Sequence, residues 1–130
     1  MNAELPKNAP HLLVAEDHPV NRALIERMLE WLGYRVVTVE NGREAVDAAQ
    51  AQTFNAILLD LEMPVMGGLD AAAAIRALPG AAMLPMIALT AHAAGDAEHI
   101  SKQYGFDGYV TKPIDMKDLA KTLRHALAPE

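Results

Sequence analysis

The chain has 130 residues, of which 52% are hydrophobic and 22% charged, with a formal net charge of −6 and no cysteine. This length and composition fit one globular domain with a buried core, whereas the acidic charge argues against direct nucleic-acid binding, which needs clustered Lys and Arg. The lack of cysteine excludes disulfides and Cys-ligated zinc, and no apolar run approaches the roughly 18–20 residues that span a bilayer, so we expect a cytoplasmic protein without direct membrane contact.

The first ten residues are polar, carry two prolines and lack the apolar stretch of a secretory signal. We predict that residues 1–10 form a disordered lead or linker and that residues 11–128 form the domain. Within the domain, short apolar runs predict strands at 11–15, 35–39, 56–59, 86–89 and 108–110. Helical patterns predict helices from 19 to about 32, from 42 to about 51, over 69–78, from 94 to about 104 and from 116 to about 127.

Local signals mark where several of these helices begin and end. Pro19 suits the first turn of the first helix, and Gly33 suits its C-terminal cap. Asn41 followed by Glu44 resembles a capping box, and Asp115 suits the N-cap of the last helix. Trp31, near the end of the first helix, is expected to pack in a partly buried position.

Strands that alternate with helices predict βαβ units, and therefore a parallel sheet covered on both faces. The predicted strands are almost entirely apolar, as strands buried on both faces should be. Five such units favour a doubly wound α/β fold, a three-layer sandwich around a five-stranded parallel sheet. A closed (βα)₈ barrel would need about 250 residues, which this chain does not have.

Polar residues close the predicted strands. Glu16 and Asp17 follow the first strand, Asp60 ends the third, Thr90 ends the fourth, and Lys112 follows the fifth. Ligands of open α/β sheets bind at the carboxyl ends of the strands, so we expect these side chains to gather there. Each has an ordinary explanation when taken singly: an acid can form a turn, a threonine can cap a helix and a lysine can be solvated. Together, in this order, they predict a site.

The chemistry of that group points to a metal and a phosphoryl group. Two carboxylates about 4 Å apart repel by on the order of 4 kcal/mol at an effective dielectric near 20. Oxygen ligands without His or Cys favour Mg²⁺ as the compensating cation, and Mn²⁺ could substitute. Lys112 and Thr90 offer an ammonium and a hydroxyl to phosphoryl oxygens, and Asp60 is placed to be a nucleophile that forms an acyl phosphate.

Four segments resemble the motifs of response-regulator receiver domains: LLVAED at 12–17, LLDLEMPVMGG at 58–68, IALTA at 87–91 and GYVTKP at 108–113. The resemblance runs from about residue 11 to 127 and implies a flavodoxin-like strand order, 2-1-3-4-5. It implies that Asp60 is the phosphorylated residue and that Asp17 binds the metal directly. Glu16 would be the second acid, often acting through water, and Glu62 would offer its backbone carbonyl to the metal.

The resemblance also implies a switch. Thr90 resembles the switch hydroxyl, Lys112 the lysine that contacts the phosphoryl group, and Tyr109 the aromatic residue that turns inward when Thr90 moves. The peptide bond between Lys112 and Pro113 is commonly cis in this family. His92, two residues after Thr90, is predicted to tune how fast water attacks the acyl phosphate.

The most similar subgroup is formed by receivers of hybrid histidine kinases, as residues 18–22, 40–42, 63–66 and 112–114 indicate. The expected partner is a histidine kinase or a histidine phosphotransfer protein, and the expected oligomeric state is a monomer or weak dimer. Two positions depart from the subgroup. Gly67 stands where Asp is frequent, and this glycine is expected to loosen the loop after Asp60. Glu16 stands where Asp is commoner, and its longer side chain reaches further, which is expected to alter how water joins the metal.

These features predict a phosphoacceptor domain of a two-component or phosphorelay system. It would catalyse its own Asp60 phosphorylation and dephosphorylation without being a turnover enzyme, and would change the surface around strand 4, helix 4 and strand 5. The alternative is a receiver-like docking module without phosphate cycling. A Mg²⁺-dependent phosphohydrolase is a second rival. A flavodoxin-like electron carrier is disfavoured, because no Ser/Thr/Gly-rich phosphate loop follows the first strand.

Overall fold

Strands and helices alternate along residues 8–128, the part of the chain that the structure, a computed structural model, describes. The strands are β1 (His11–Ala15), β2 (Arg35–Val39), β3 (Ala56–Asp60), β4 (Met86–Thr90) and β5 (Gly108–Thr111). The helices are α1 (Pro19–Trp31), α2 (Gly42–Ala51), α3 (Gly68–Arg76), α4 (Ala94–Gln103) and α5 (Met116–Leu127). None of these helices has the length and apolar character needed to cross a membrane.

The strands form one parallel sheet in the order β2-β1-β3-β4-β5, which confirms the predicted fold class and strand order. The register pairs Asp60 with Leu89 and Thr90 with Thr111, so the strands end at nearly the same level. The chain first builds the sheet outward from β1 to β2 and then crosses back to β3. The switch point between β1 and β3 is where ligands bind in open sheets of this kind.

Both faces of the sheet are covered, and the core is divided between them. On one face, α1 and α5 bury Ile25, Leu29, Leu119 and Leu123 against β1, β3 and β4. On the other face, α2 and α3 bury five side chains: Ala45, Val46, Ala71, Ala72 and Ile75. Every residue of β3 and β4 is buried, as expected for central strands enclosed by helices.

The helix signals in the sequence act as predicted, with one difference at α2. Pro19 is the first residue of α1, and Gly33 follows the helix with a φ of 97°, a conformation that favours glycine. Asn41 accepts a hydrogen bond from the backbone N–H of Glu44. The Glu44 side chain reaches back to the N–H of Glu40 rather than to that of Asn41. Asp115 caps α5 by accepting from the N–H of Asp118.

Three strands run one residue further than predicted, and α3 ends earlier. Strands β3 and β4 include Asp60 and Thr90, because the sheet ladder continues through these polar residues. Strand β5 likewise includes Thr111. Helix α3 ends at Arg76 rather than at 78, because the N–H of Leu78 binds the carbonyl of Ile75 in a tighter turn.

The prediction that Trp31 is partly buried is wrong, because 83% of the residue is exposed. Ile25 and Leu29 define the face of α1 that packs on the sheet. Trp31 lies two positions after Leu29, which is roughly 200° around an α-helix, so its side chain is directed away from the core.

The packed part of the domain begins before residue 11. Ala9 is buried, and its carbonyl accepts a hydrogen bond from the Arg35 side chain. The carbonyl of Pro10 accepts from the backbone N–H of Arg35 at the start of β2. The remainder of the predicted lead, residues 1–7, lies outside the described residues, so its disorder stays a prediction.

Candidate functional site

Three acids meet at the carboxyl edge of the sheet. Glu16 and Asp17 follow β1, and Asp60 ends the neighbouring strand β3. One carboxylate oxygen from each can be chosen so that all three lie within 4.8 Å of one another. Glu16 and Asp60 are buried, at 0% and 4% exposure, whereas Asp17 is exposed. The structure therefore brings together the three acids predicted from the sequence and leaves one of them open to solvent.

Lys112 enters the same cleft from the end of β5. Its Nζ atom lies 2.8 Å from Oε1 of Glu16 and 3.0 Å from Oδ2 of Asp60. Burial alone would lower the pKa of Lys112, but the hydrogen bonds and negative charges of Glu16 and Asp60 outweigh that effect and raise it. The lysine is therefore held as an ammonium between two buried acids.

The carboxyl group of Glu16 is buried next to charged neighbours. Burial raises its pKa above the ordinary value, and neighbouring Asp60 adds to the rise, although Lys112 and the N–H of His18 act against it. The N–H of His18 donates to Oε2. Oε1 forms an ion pair with the ammonium of Lys112, at 2.8 Å, and has no other partner among the described residues. A buried oxygen in this position fits a site that accepts a further cation.

Asp60 is fixed through both carboxylate oxygens. Oδ2 contacts Lys112, and Oδ1 accepts a hydrogen bond of 3.0 Å from the backbone N–H of Glu62. The backbone of Asp60 is fixed as well, because Gly68 at the start of α3 packs directly on its carbonyl oxygen. The side chain of Glu62 is exposed, and the metal-binding role predicted for its carbonyl stays a prediction.

Arg22 orders the loop that carries the first two acids, a role that was not predicted. Its Nη1 atom donates to the backbone carbonyls of Glu16, at 3.0 Å, and Asp17, at 3.3 Å. The only sequence signal for this residue was its place in the segment 18–22 that marks the subgroup. The contact spans six residues and leaves no periodic pattern, so it could not be derived from the sequence alone.

Thr90 and Tyr109 lie at the same side of the sheet, on β4 and β5. Thr90 is buried at 2% exposure, and its hydroxyl contacts His92 rather than the acids. Tyr109 is half-buried, pairs with Ala88 in the sheet register and packs against the core on the α2–α3 face. The peptide bond between Lys112 and Pro113 is cis, as the resemblance implied. The switch roles of Thr90 and Tyr109 stay predictions.

The arrangement can bind a divalent cation and an anion side by side. Glu16, Asp17 and Asp60 are oxygen donors, which suit a hard cation such as Mg²⁺. Their three charges exceed the single charge of Lys112, so the cleft as it stands is acidic. A cation would offset this excess, while Lys112 can contact an anion held next to Asp60.

Comparison with known proteins agrees with this geometry. Residues 12–124 match the family described as the response regulator receiver domain. Sensor protein GacS of Pseudomonas syringae pv. syringae is 41% identical over 122 residues, which are 92% of this chain and 14% of GacS. The histidine-protein kinase BarA of Escherichia coli K12 is 34% identical over 117 residues, which are 90% of this chain and 13% of BarA. The chain thus spans about one seventh of these relatives.

Solved structures share the fold along nearly the whole chain. The receiver domain of sensor histidine kinase PA1611 from Pseudomonas aeruginosa PAO1, crystallised with a magnesium ion coordinated in the active-site cleft, matches with a TM-score of 0.85 and 38% identity. That match covers 93% of this chain and 99% of the PA1611 domain. Chemotaxis response regulator CheY4 of Vibrio cholerae matches with a TM-score of 0.85 and 31% identity, over 92% of this chain and all of CheY4.

The family match and the solved relatives agree with the fold and its strand order, and the magnesium ion in the PA1611 cleft is consistent with the acidic cluster. Receivers of sensor histidine kinases are among the relatives, in GacS, BarA and PA1611. The chain therefore belongs to the response regulator receiver domains of two-component signalling, and its homologues include the receivers of hybrid sensor histidine kinases.

Proposed function

We propose that Asp60 accepts a phosphoryl group from a phosphohistidine on a histidine kinase or a histidine phosphotransfer protein, in a Mg²⁺-dependent reaction. The observation that supports this most is the setting of the Asp60 carboxylate. It is buried, held by an ammonium on one oxygen and a backbone N–H on the other, and adjacent to two further acids. Such a carboxylate has a fixed orientation and a charge environment suited to attack on phosphorus.

Glu16, Asp17 and Asp60 would hold the metal, with the backbone carbonyl of Glu62 as a further oxygen ligand. The fit rests on the all-oxygen donor set and on the buried Oε1 of Glu16. When bound, Mg²⁺ would neutralise charge on the phosphoryl oxygens, and Mn²⁺ could substitute. The magnesium ion in the cleft of the PA1611 receiver supports this assignment by analogy.

In the proposed transfer, a carboxylate oxygen of Asp60 forms a bond to phosphorus while the bond from phosphorus to the imidazole nitrogen breaks. The electron pair of the broken bond stays on that nitrogen. Because the other ring nitrogen carries a proton, a neutral imidazole leaves. The product is an acyl phosphate on Asp60, which water later hydrolyses to restore the carboxylate.

The contacts of the cleft residues would change as negative charge moves from Asp60 to the phosphoryl group. Before transfer, the Lys112 ammonium binds Oδ2 of Asp60. Once that carboxylate is phosphorylated, the negative charge lies on the phosphoryl oxygens, so the ammonium shifts its contact to one of them. Thr90 would donate its hydroxyl to another, and Tyr109 would fill the space behind it. This changes the surface of β4, α4 and β5 as a shift between two states.

A groove beside the cleft offers a surface to the phosphodonor protein. It has a volume of about 410 Å³ and is lined by Asn21, Leu24 and Ile25 of α1 together with Lys112, Pro113 and Ile114. Lys112 belongs to both groove and cleft, so a partner seated here would bring its phosphohistidine next to Asp60. We expect this docking to take place in the cytoplasm, with the chain acting as a monomer or weak dimer.

The experiment that tests this function is incubation of the chain with acetyl phosphate and Mg²⁺. Wild type is expected to gain acid-stable, hydroxylamine-labile phosphate, and Asp60→Asn is expected to gain none. Asp70→Asn, an exposed acid on α3, serves as the matched control and should be labelled like wild type. Labelling of Asp60→Asn, or no labelling of wild type in the presence of Mg²⁺, would contradict the proposal.

The alternative is a receiver-like module that docks without cycling phosphate. A docking module has no need for metal, so Mg²⁺ titration separates the two. The presence of the acids and the lysine in one cleft favours phosphate cycling. Receiver domains are as a rule not turnover enzymes. Multiple turnover on small phosphate esters would instead support the phosphohydrolase rival.

A further inference from the structure

The hydroxyl of Thr90 is bound by His92, two residues along the chain. Oγ1 of Thr90 lies 2.6 Å from Nδ1 of the imidazole. The backbone N–H of His92 donates a second hydrogen bond to the same oxygen, at 3.0 Å. Two atoms of one residue therefore enclose a hydroxyl that the proposed switch has to move.

The tautomer of His92 sets the direction of the bond between Oγ1 of Thr90 and Nδ1. A threonine hydroxyl carries one hydrogen and two acceptor sites. The His92 N–H occupies one acceptor site. A neutral imidazole with its proton on Nε2 accepts at Nδ1, so the only hydrogen of the hydroxyl is directed to that nitrogen. In this arrangement Thr90 has no hydrogen left to donate to an anion above Asp60.

Within residues 8–128, no hydrogen bond joins the Thr90 hydroxyl to the cleft. The ammonium of Lys112 contacts Glu16 and Asp60. Thr90 is linked to Lys112 through the backbone alone, where the Lys112 N–H donates to the Thr90 carbonyl at 2.7 Å. His92 therefore holds the hydroxyl while the sheet fixes the backbone of Thr90. The hydroxyl must break its bond to the imidazole before it can donate to a group in the cleft.

We propose that His92 is a positioning residue that holds the Thr90 hydroxyl away from the phosphoryl position in the unphosphorylated protein. This inference rests on the proposed function, in which Thr90 donates to a phosphoryl oxygen. His92 then opposes the phosphorylated state by stabilising the other position of Thr90. The effect is on an equilibrium, and so it is separate from the predicted influence of His92 on attack by water.

Beryllofluoride, added with Mg²⁺ as a stand-in for the phosphoryl group, tests this at equilibrium because no bond is hydrolysed. A neutral intramolecular hydrogen bond changes an equilibrium by a net factor of about two to ten. The full chain carrying His92→Leu is therefore expected to bind beryllofluoride about two- to tenfold more tightly than wild type. His92→Asn keeps an acceptor oxygen near the place of Nδ1 and is expected to bind like wild type.

The matched control is His99→Leu, the same substitution at an exposed histidine of α4, which should leave the affinity unchanged. Equal or weaker binding by His92→Leu would overturn the proposal, and so would a tightening by His92→Asn as large as that by His92→Leu. No binding by wild type, or full binding by Asp60→Asn, would instead overturn the proposed function. The two failures are thereby distinguished.

A second measurement reads the hydrogen bond itself. The ¹⁵N resonance of Nδ1 in His92 should carry the shift of a nitrogen that accepts a hydrogen bond. Thr90→Val removes the hydroxyl and should move this resonance toward that of a free acceptor, and beryllofluoride should move it the same way in wild type. A resonance that changes in neither experiment would show that Nδ1 does not hold the hydroxyl, and the proposal would fall.

Discussion

The ammonium of Lys112 contacts two of the three acids in the cleft, at 2.8 Å from Glu16 and 3.0 Å from Asp60. The ammonium neutralises part of the negative charge that would otherwise attract a metal ion. The lysine side chain is 22% exposed, so water screens these contacts only in part. Lys112 is therefore expected to stabilise the metal-free cleft and to weaken the binding of a cation.

Replacing Lys112 with Met should thus have two opposite effects. Without metal, the free energy of unfolding should fall by about 1–3 kcal/mol, because two buried acids lose their counter-charge. The affinity for Mg²⁺ should rise roughly tenfold, since a unit and a divalent charge about 6 Å apart repel by about 1.4 kcal/mol even in water. Urea unfolding in EDTA measures the first quantity, and titration calorimetry with Mg²⁺ measures the second.

Lys117→Met is the matched control, because Lys117 is an exposed residue of α5. It should change neither quantity appreciably. A Lys112→Met variant that binds Mg²⁺ less tightly than wild type would show that the ammonium does not oppose the cation. The phosphorylation of Asp60 should be lost in this variant in either case, so it cannot serve as the discriminating measurement.

At the residue scale, site residues can be predicted from the sequence where they follow or end an apolar run. Glu16, Asp17, Asp60 and Lys112 are found this way, because the ends of parallel strands meet at one edge of the sheet. The hydrogen bond from the Arg22 side chain to the first loop leaves no such trace. The contact of His92 with Thr90 also depends on rotamers, so the position of His92 was noted without its partner.

Helix α3 begins against the strand that carries Asp60. A Cβ atom added to Gly68 would lie 2.4 Å from the carbonyl oxygen of Asp60, which is a backbone atom and cannot move independently. Glycine at this position therefore lets the first turn of α3 approach the end of β3. The same approach fixes the loop that follows Asp60, since the Gly68 N–H donates to the carbonyl of Leu61.

Gly68→Ala is expected to lower the free energy of unfolding by about 1–3 kcal/mol, because the added methyl group forces the helix away from the strand. The displacement should also reduce the rate of Asp60 phosphorylation. Gly95→Ala is the matched control in α4, where an added Cβ meets nothing within 4 Å. It should stabilise by about 0.5 kcal/mol through helix propensity. Urea unfolding of both variants compares the signs, and a stable Gly68→Ala would contradict the packing argument.

Arg76 joins the end of α3 to the segments that lead into β4 and β5. Its Nη1 atom donates to backbone carbonyls of the segment before β4, those of Ala82 and Leu84. Its Nη2 atom donates to the carbonyl of Gly105 and to the carboxylate of Asp107. Asp107 in turn accepts from the backbone N–H of Met86. One guanidinium thus binds backbone carbonyls of both segments at once.

Arg76→Lys is expected to lower the free energy of unfolding by about 2 kcal/mol, because a single ammonium nitrogen cannot replace the two guanidinium nitrogens that donate to both segments. The matched control is Arg43→Lys. Arg43 forms an exposed pair with Asp47 on α2, at 3.7 Å, and its replacement should change stability by less than about 0.5 kcal/mol. Thermal and urea unfolding measure both. Equal losses in the two variants would show that Arg76 does not link the segments.

Elements were predicted well where local signals are strong and less well where tertiary contacts decide. The strands and the caps of α2 and α5 follow from apolar runs and from Asn41 and Asp115. The end of α3 was placed too late, since Pro79 marks a limit but the tighter turn before it does not show in the sequence. Trp31 was predicted to be partly buried, whereas its angular position on α1 directs it to solvent.

On the scale of the whole molecule, the parallel sheet is what assembles the cleft. Strands β1, β3, β4 and β5 deliver their last residues to one edge, so residues separated by up to 96 positions, Glu16 and Lys112, come into contact. The fold thereby places like charges together at the expense of stability. The metal-free domain should accordingly be less stable than the metal-bound one, and the difference should depend on the cleft acids alone.

Mg²⁺ is therefore expected to raise the free energy of unfolding by about 2.7 kcal/mol when its concentration is a hundred times its dissociation constant, since the unfolded chain has no assembled site. Urea unfolding in MgCl₂ and in NaCl of equal ionic strength measures the difference and removes general salt effects. Asp17→Asn, which changes the exposed acid of the cleft, should abolish most of the increase. Asp47→Asn, an exposed acid of α2, should keep it. If Mg²⁺ stabilises wild type and Asp17→Asn equally, the ion binds elsewhere, because an ion held by the acids of the cleft would lose affinity when one of them is neutralised.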